Sequence, residues 1–396
     1  MSSLKCNLCR NFSVLYRKTG VFLFKATINR VLNSPKPETN ISKALAFFWD
    51  ISYNGGKIYL ERGKNMATMD DIARQLGVSK GTVSKALSGA ADVSETMRKS
   101  VVETAVELGY SRISRQGESR RVCIFVENMA YERPEDFGWE IITGFRKLAE
   151  PAGYQVDIIP LDVELERSIP YDAYMLQEGY RGSLFLGLTL LDPWMKDFKS
   201  CTSPTVLYDN QVKYNPAVTQ MGIDSDEGMD MAVSRLKELG HRKIGYLSTA
   251  LGSYVYQVRY AAFFRSLRRN KLPAQRELGG YEYRLSECLD KHLPHLLDRG
   301  CTAVICSHDI LAHMLLIHCS ELGISVPKQL SVIGFDDLPL CQYTMPPLST
   351  VRQNRTQLGK SAFYALNSLM GQTPISTLLL HAKLIERGSI GPAPVI

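Results

Sequence analysis

The chain has 396 residues, 45% of them apolar, with 47 Lys and Arg against 40 Asp and Glu for a formal net charge of +7. It is too apolar for a disordered tail and holds no apolar run long enough to span a bilayer, which excludes a membrane protein and leaves room for two or three domains. Nine cysteines at irregular spacings suit reduced thiols better than a disulfide framework, so the expected compartment is the cytoplasm.

The charge is unevenly placed. Residues 1–65 sum to +8, residues 66–121 to +2 and residues 122–396 to −3. The basic excess therefore sits in a leader without clear periodicity, in which Lys18 and Lys25 interrupt the only apolar run that could serve as a signal peptide. Cys6 and Cys9 form a C-x-x-C pair, but no second pair follows at zinc-site spacing, so no metal is expected. The Glu61-Arg-Gly-Lys-Asn65 stretch can be encoded by a purine-rich, ribosome-binding-site-like segment, and the expectation is that Met66 is the real start; the alternative is a disordered basic tail.

Residues 66–110 read as a three-helix unit. Thr68 with Asp71 three residues on forms an N-terminal cap signal, Ile72, Ala73 and Leu76 share one face, and Gly77 stops the helix. Ser79 caps a second short helix, Lys80 to Leu87, whose Val83, Ala86 and Leu87 point inward and whose outer face carries Lys80, Gly81, Thr82, Ser84 and Lys85. Ser94 caps a third, running to Leu108. Two short helices about a Gly turn, the second presenting small polar and basic groups, meet the physical requirements of a helix-turn-helix, because a major groove about 12 Å wide favours short side chains.

The spelling Met69-Asp-Asp-Ile-Ala-Arg-Gln-Leu-Gly-Val-Ser79-Lys-Gly-Thr-Val-Ser-Lys-Ala-Leu-Ser88, continued by Val93-Ser-Glu-Thr-Met-Arg98 and Glu107-Leu-Gly-Tyr110, closely resembles the headpiece of the LacI-GalR repressor family. That resemblance implies base reading by Lys80, Gly81 and Lys85 and backbone contacts by Ser79, Thr82 and Ser84. It also implies a hinge helix after Tyr110 that wedges Leu into the minor groove. Here the hinge linker, 111–121, has no Pro, Asn or Leu and contains Gly117. The expectation is a flexible basic segment in which Arg112, Arg115, Arg120 and Arg121 contact phosphates.

Residues 122–396 alternate short apolar strands with helices, which predicts α/β architecture with parallel sheets in two lobes, since one core rarely grows to 270 residues. Gly240-His-Arg-Lys-Ile-Gly245, Val332-Ile-Gly-Phe-Asp-Asp337, Pro347-Leu-Ser-Thr-Val351 and Glu386-Arg-Gly-Ser389 resemble the periplasmic-binding-protein-like core of the same family. The resemblance implies an effector, a sugar or related small molecule, in the interlobe cleft. It places Arg259, Asp309 and Asp336 on effector hydroxyls, with Phe137 or Trp139 as a stacking ring. A planar guanidinium that donates to two oxygens at once suits such a ligand. The bland readings are an Arg259 ion pair, an Asp309 helix cap and a core Trp139.

Nothing in the chain spells an enzyme: there is no Gly-rich phosphate loop after a strand, no H-E-x-x-H, no nucleophile elbow, and no cofactor is expected. A periplasmic-type solute-binding protein is the alternative; it would lack the headpiece. The expected partners are double-stranded operator DNA, a small-molecule effector and a second copy of the chain, because one headpiece buries too little surface for tight binding and two-fold operators mirror a homodimer.

Overall fold

In the computed structural model the described residues are 51–54, 57–60, 67–87, 90, 92–108, 110, 120–249 and 251–395. Met1–Met66 and Ala67–Ile396 form two compact units. In the first, β1 (Ile51–Asn54) and β2 (Lys57–Leu60) pair antiparallel; the rest of the leader lies outside the described residues, as do Arg112 and Arg115 of the hinge.

The second unit begins with α1 (Met69–Leu76), α2 (Lys80–Leu87) and α3 (Glu95–Glu107). Their ends follow the sequence signals. Thr68 and Asp71 make a reciprocal capping box, Gly77 closes α1 at φ +65°, and the Ser79 and Ser94 hydroxyls accept from Thr82 N and Met97 N. Ile72, Val83, Ala86, Leu87, Val101 and Ala105 fill the space between the three helices at no more than 2% exposure. A headpiece this small gains little further from burial, which makes the caps matter.

Two six-stranded sheets follow. The first lobe orders its strands β4 (Gln155–Pro160), β3 (Arg121–Val126), β5 (Ser183–Leu186), β6 (Thr205–Tyr208), β7 (Val218–Ile223) and β13 (Thr377–Leu380), all parallel. The second orders β9 (Gly279–Glu282), β8 (Ile244–Thr249), β10 (Ala303–Cys306), β11 (Ser331–Asp336) and β12 (Ser349–Arg352), with antiparallel β14 (Lys383–Ile385) on the far edge. The chain crosses between lobes three times: after β7, after β12 and between β13 and β14. Each lobe puts its first strand between its second and third, so each has a switch point where crevices open at the strand carboxyl ends.

The remaining helices are α4 (Phe137–Ala149), α5 (Val163–Ser168), α6 (Tyr171–Glu178), α7 (Trp194–Asp197), α8 (Ser225–Glu238), α9 (Tyr254–Arg269), α10 (Leu285–Asp298), α11 (Asp309–Glu321) and α12 (Arg355–Met370). α4 and α12 cross at backbone contact. A Cβ on Gly144 would stand 2.2 Å from the Thr356 carbonyl oxygen and one on Gly359 1.9 Å from that of Ile141. That contact ties the last crossing helix to the first lobe, leaving strand ends and crossing segments to line the cleft. Arg121, expected on DNA phosphate, opens β3 instead: its guanidinium donates to Asp157 at 2.7 Å and to the Glu178 carbonyl at 2.8 Å, and lies over the Tyr180 ring. A cation held by three groups of its own lobe is not available to a phosphate.

Candidate nucleic-acid interface and ligand cleft

The headpiece presents a short polar surface. Ser79, Lys80, Gly81 and Lys85 are exposed on α2 and Thr82 and Ser84 half-exposed, because Val83, Ala86 and Leu87 turn the opposite face into the three-helix core. The Ser79 and Thr82 hydroxyls bond each other at 2.9 Å, which fixes the start of the helix. Lys80 pairs with Asp70 and Lys85 with Asp92, all four side chains about half exposed. Such surface pairs contribute little in water and exchange readily for a phosphate or a guanine edge. The ammonium groups are therefore held near the exposed face of α2. A Cβ on Gly81 would meet nothing closer than 3.5 Å, so the fold does not require glycine there; its bareness is a feature of the surface.

The cleft is built from strand ends. Arg259 on α9 is 3% exposed and donates to the Ser307 carbonyl at 2.6 Å, just beyond β10. Its guanidinium lies 3.8 Å over the Phe335 ring, 3.4 Å from Asp336 at the end of β11 and 3.9 Å from Asp209, which follows β6 of the other lobe. One cation thus faces carboxylates from both lobes. Asp336 is joined through Gln353, whose amide donates to it at 2.6 Å, to the Tyr208 hydroxyl, which donates to Gln353 at 2.9 Å. The loop of polar groups Tyr208, Gln353, Asp336, Arg259 and Asp209 closes across the lobes. Two more bonds join the lips: Leu190 N–H to the Gly252 carbonyl at 3.2 Å and the Tyr254 hydroxyl to Gln211 at 3.2 Å.

The electrostatics are those of a dry site. Burial raises Asp209 to about 6 against the pull of Arg259, and raises Asp336 as well. Burial and then the Arg259 charge drive His308 down to about 4, so that ring is neutral at pH 7. Asp209 and Asp336 hold φ +52° and +119°, left-handed backbone that costs a non-glycine residue about 1–3 kcal/mol and gathers at functional sites. Arg259 Nε and the hydroxyls of Ser248, Thr249 and Ser307 are buried with no hydrogen-bond partner among the described residues. Orphaned donors at the carboxyl ends of β8 and β10 mark room for water or a ligand's polar groups. A cavity of about 260 Å³, lined by Asp209, Gln211, Tyr254 and Val258 among others, shares only Asp209 with this polar group.

The five effector residues expected from sequence do not all converge. Arg259 and Asp336 come together. Phe137 packs 6.1 Å from the Tyr208 ring, under the Arg355 guanidinium, at the rim of the same polar group. Trp139 is 38% exposed one turn into α4. Asp309 is fully buried and its carboxylate is taken: it accepts from the Thr350 hydroxyl at 2.6 Å, from Leu338 N at 2.8 Å and from the Cys341 thiol at 3.1 Å. That geometry pins the β11 and β12 loops, with both carboxylate oxygens already bonded inside the lobe. Nor does Asp309 cap α11; His308 Nδ1 does, accepting from Leu311 N at 3.2 Å. Sequence reasoning passed over Asp209, Tyr208 and Gln353, whose one common signal is their position just at or after the end of a short apolar strand.

Among the described residues one group has donor spacing compatible with a metal ion: Glu127, Glu166 and Asp192, at the carboxyl end of the first lobe's sheet. Glu166 takes Trp194 N on one oxygen, Asp192 takes Thr189, and Glu166 Oε1 and Glu127 Oε2 have no hydrogen-bond partner among the described residues. Burial, with the neighbouring Asp192 adding, pushes Glu127 to about 8, and burial raises Glu166 to about 7.

Residues 68–112 match the family described as bacterial regulatory proteins, lacI family, and residues 233–390 match the periplasmic binding protein-like domain. The chain is 29% identical over 347 residues to the HTH-type transcriptional repressor CytR of Escherichia coli strain K12, spanning 84% of this chain and 99% of the relative. It is 26% identical to the HTH-type transcriptional repressor PurR of Yersinia pestis, over 83% of this chain and 98% of that one. Among solved structures, the transcriptional regulator CelR–cellobiose complex superposes with a TM-score of 0.60 at 24% identity, covering 82% of this chain and 99% of the other. The lac repressor dimer bound to operator and the anti-inducer ONPF does so at 0.56 and 23%, with the same coverage. At these identities the structures speak to the shared fold. No helix among the described residues is long and apolar enough to cross a membrane.

Proposed function

We infer that this chain is a member of the lacI family of bacterial regulatory proteins and a sequence-specific DNA-binding transcriptional repressor whose interlobe cleft takes a small polyhydroxylated effector. The observation that carries the reading is the union of two sites in one chain: an exposed α2 face bearing Lys80, Gly81 and Lys85, and a buried Arg259 facing Asp209 and Asp336 from opposite lobes. A solute-binding protein has no use for the first. The relatives CytR and PurR are transcriptional repressors by name.

The effector acts through lobe arrangement. Hydroxyls entering between Asp209 and Arg259 exchange an interlobe ion pair for ligand bonds, and a ligand that binds one arrangement better shifts the population toward it. The ligand class fits the donors: a guanidinium, two carboxylates and orphaned hydroxyls recognise a polyol or sugar, with Phe137 at the rim. Ser79, Lys80, Thr82, Ser84 and Lys85 contact DNA, with Arg112 and Arg115 of the linker on phosphates, and two headpieces of a homodimer read two half-sites. Residues 66–110, 111–121 and 122–396 serve as headpiece, linker and effector core.

Selection of binding sites from random duplex DNA by the full chain tests the first half, with Lys80→Ala/Lys85→Ala as control. A thermal-shift screen of sugars and nucleosides, repeated on Arg259→Met, tests the second. Recovery of no enriched sequence sinks the regulator reading; a shift that survives Arg259→Met sinks the assigned cleft.

A further inference from the structure

The linker leaves a problem unsolved. Ten residues separate Tyr110 from Arg121, a span of about 40 Å at most, and their sequence has no Pro, Asn or Leu and contains Gly117. Something else must orient the headpiece. α6 has an unusual composition for a surface helix of eight residues: it is buried on two faces. Tyr171 and Met175, at 0% and 1% exposure, join the first lobe's aromatic core with Phe185 and Trp194. Ala173 and Leu176, at 6% and 7%, join instead the apolar cluster of the headpiece, with Val101, Val102, Ala105 and Tyr110, while α3 packs on α6. At about 100° per residue the two pairs project on the order of 150° apart around the helix. A helix apolar on opposite faces is one held between two bodies. The docked headpiece still exposes Lys80, Gly81 and Lys85, so this contact orients the reading face and does not cover it.

We propose that α6 is a docking platform for the headpiece, and that the Ala173–Leu176 face takes the place of a folded hinge helix in passing the lobe arrangement to the DNA-binding unit. The short tether keeps the headpiece at high effective concentration over the platform, so a small apolar seam suffices. This rests on the regulator reading for its consequence, but the docking itself does not depend on DNA.

The test is hydrogen exchange on the full chain carrying Leu176→Glu. The expected result is exchange at least tenfold faster in α1, α2 and α3 with β3 and β5 unchanged. Headpiece exchange equal to wild type overturns the proposal. If β3 and β5 also speed up, Ala173→Glu on the same face is read the same way, and the proposal falls if neither substitution separates headpiece from lobe. In a second arm, the two-half-site DNA selected by wild type should bind Leu176→Glu at least tenfold more weakly, with a single half-site bound equally; equal binding to both overturns the coupling. Failure of wild type to select any sequence sinks the regulator reading and leaves the exchange result standing.

Discussion

The headpiece and the cleft solve opposite problems. The side chains proposed to contact DNA lie within seven consecutive residues, Ser79 to Lys85, exposed or half-exposed, with half-exposed ion partners that water already screens. The cleft gathers Tyr208, Asp209, Arg259, Asp336 and Gln353 from both lobes and a crossing segment, buried, strained and electrostatically coupled. In the first region a substitution should alter binding and leave stability almost untouched. In the second the two cannot be separated, because the groups that would meet a ligand also hold the lobes.

Arg259→Met is the largest break. It leaves Asp209 and Asp336 buried without their cation, and breaking a buried pair by removing one partner costs about 3–5 kcal/mol. The loss should shrink in acid: once the carboxylates protonate, no uncompensated charge remains, and burial raises both Asp209, to about 6, and Asp336 above the ordinary carboxylate value. Thermal unfolding of variant and wild type from pH 8 to 5 checks this; a difference independent of pH would mean that Arg259 acts by packing on Phe335 alone.

Lys80→Ala and Lys85→Ala come next, each expected to weaken selected DNA by about 1–3 kcal/mol and random DNA by less. Their melting temperatures should match wild type. Equal losses on both DNAs would refute base reading. Asp92→Asn sharpens the point, since it frees the Lys85 ammonium of a competitor and should tighten binding to any duplex, more so at low salt.

These outcomes track what the sequence disclosed. The headpiece was legible almost to its caps because every signal is local: Thr68 with Asp71, Gly77, Ser79 and Ser94 stand within a few residues of what they terminate. Strands such as Ser183–Leu186 and Ala303–Cys306 were legible as short apolar runs. Thr377–Leu380 was not, since it is half exposed and pairs with Val218–Ile223 more than 150 residues earlier. Nor was α6, whose two apolar faces erase the amphipathic period on which helix reading depends. In the cleft, Arg259 and Asp336 were named, but Asp209 is an ordinary Asp after an ordinary strand until the other lobe closes on it. Asp309 shows the converse: a residue of the right type in the right place, whose oxygens the β11 and β12 loops already occupy.

The carboxylate group Glu127, Glu166 and Asp192 offers a smaller effect with a definite sign. Glu166 titrates at about 7 in the folded chain against an ordinary 4.5. The unfolded chain gives up this proton first, so its contribution favours folding below pH 4.5 and is lost as pH rises through 7. Glu166→Gln should therefore match wild type near pH 4.5 and become progressively more stable than it toward pH 8, read as a difference in melting temperature. A constant difference would assign Glu166 to the Trp194 hydrogen bond instead.

Gly81→Ala gives the smallest change and the cleanest separation of the two regions. Glycine inside a helix costs about 0.5–1 kcal/mol relative to alanine, and nothing within 3.5 Å opposes a Cβ here. The substitution should stabilise the headpiece by about that amount, visible in its own hydrogen exchange. Because Gly81 stands between the two lysine pairs on the reading face, the added methyl should at the same time alter preference at one base step, favouring a thymine methyl opposite it. Greater stability with changed DNA preference would show that α2 gives up helix propensity to keep this surface bare. Greater stability with unchanged preference would place Gly81 outside the groove and move base reading onto Lys80 and Lys85 alone.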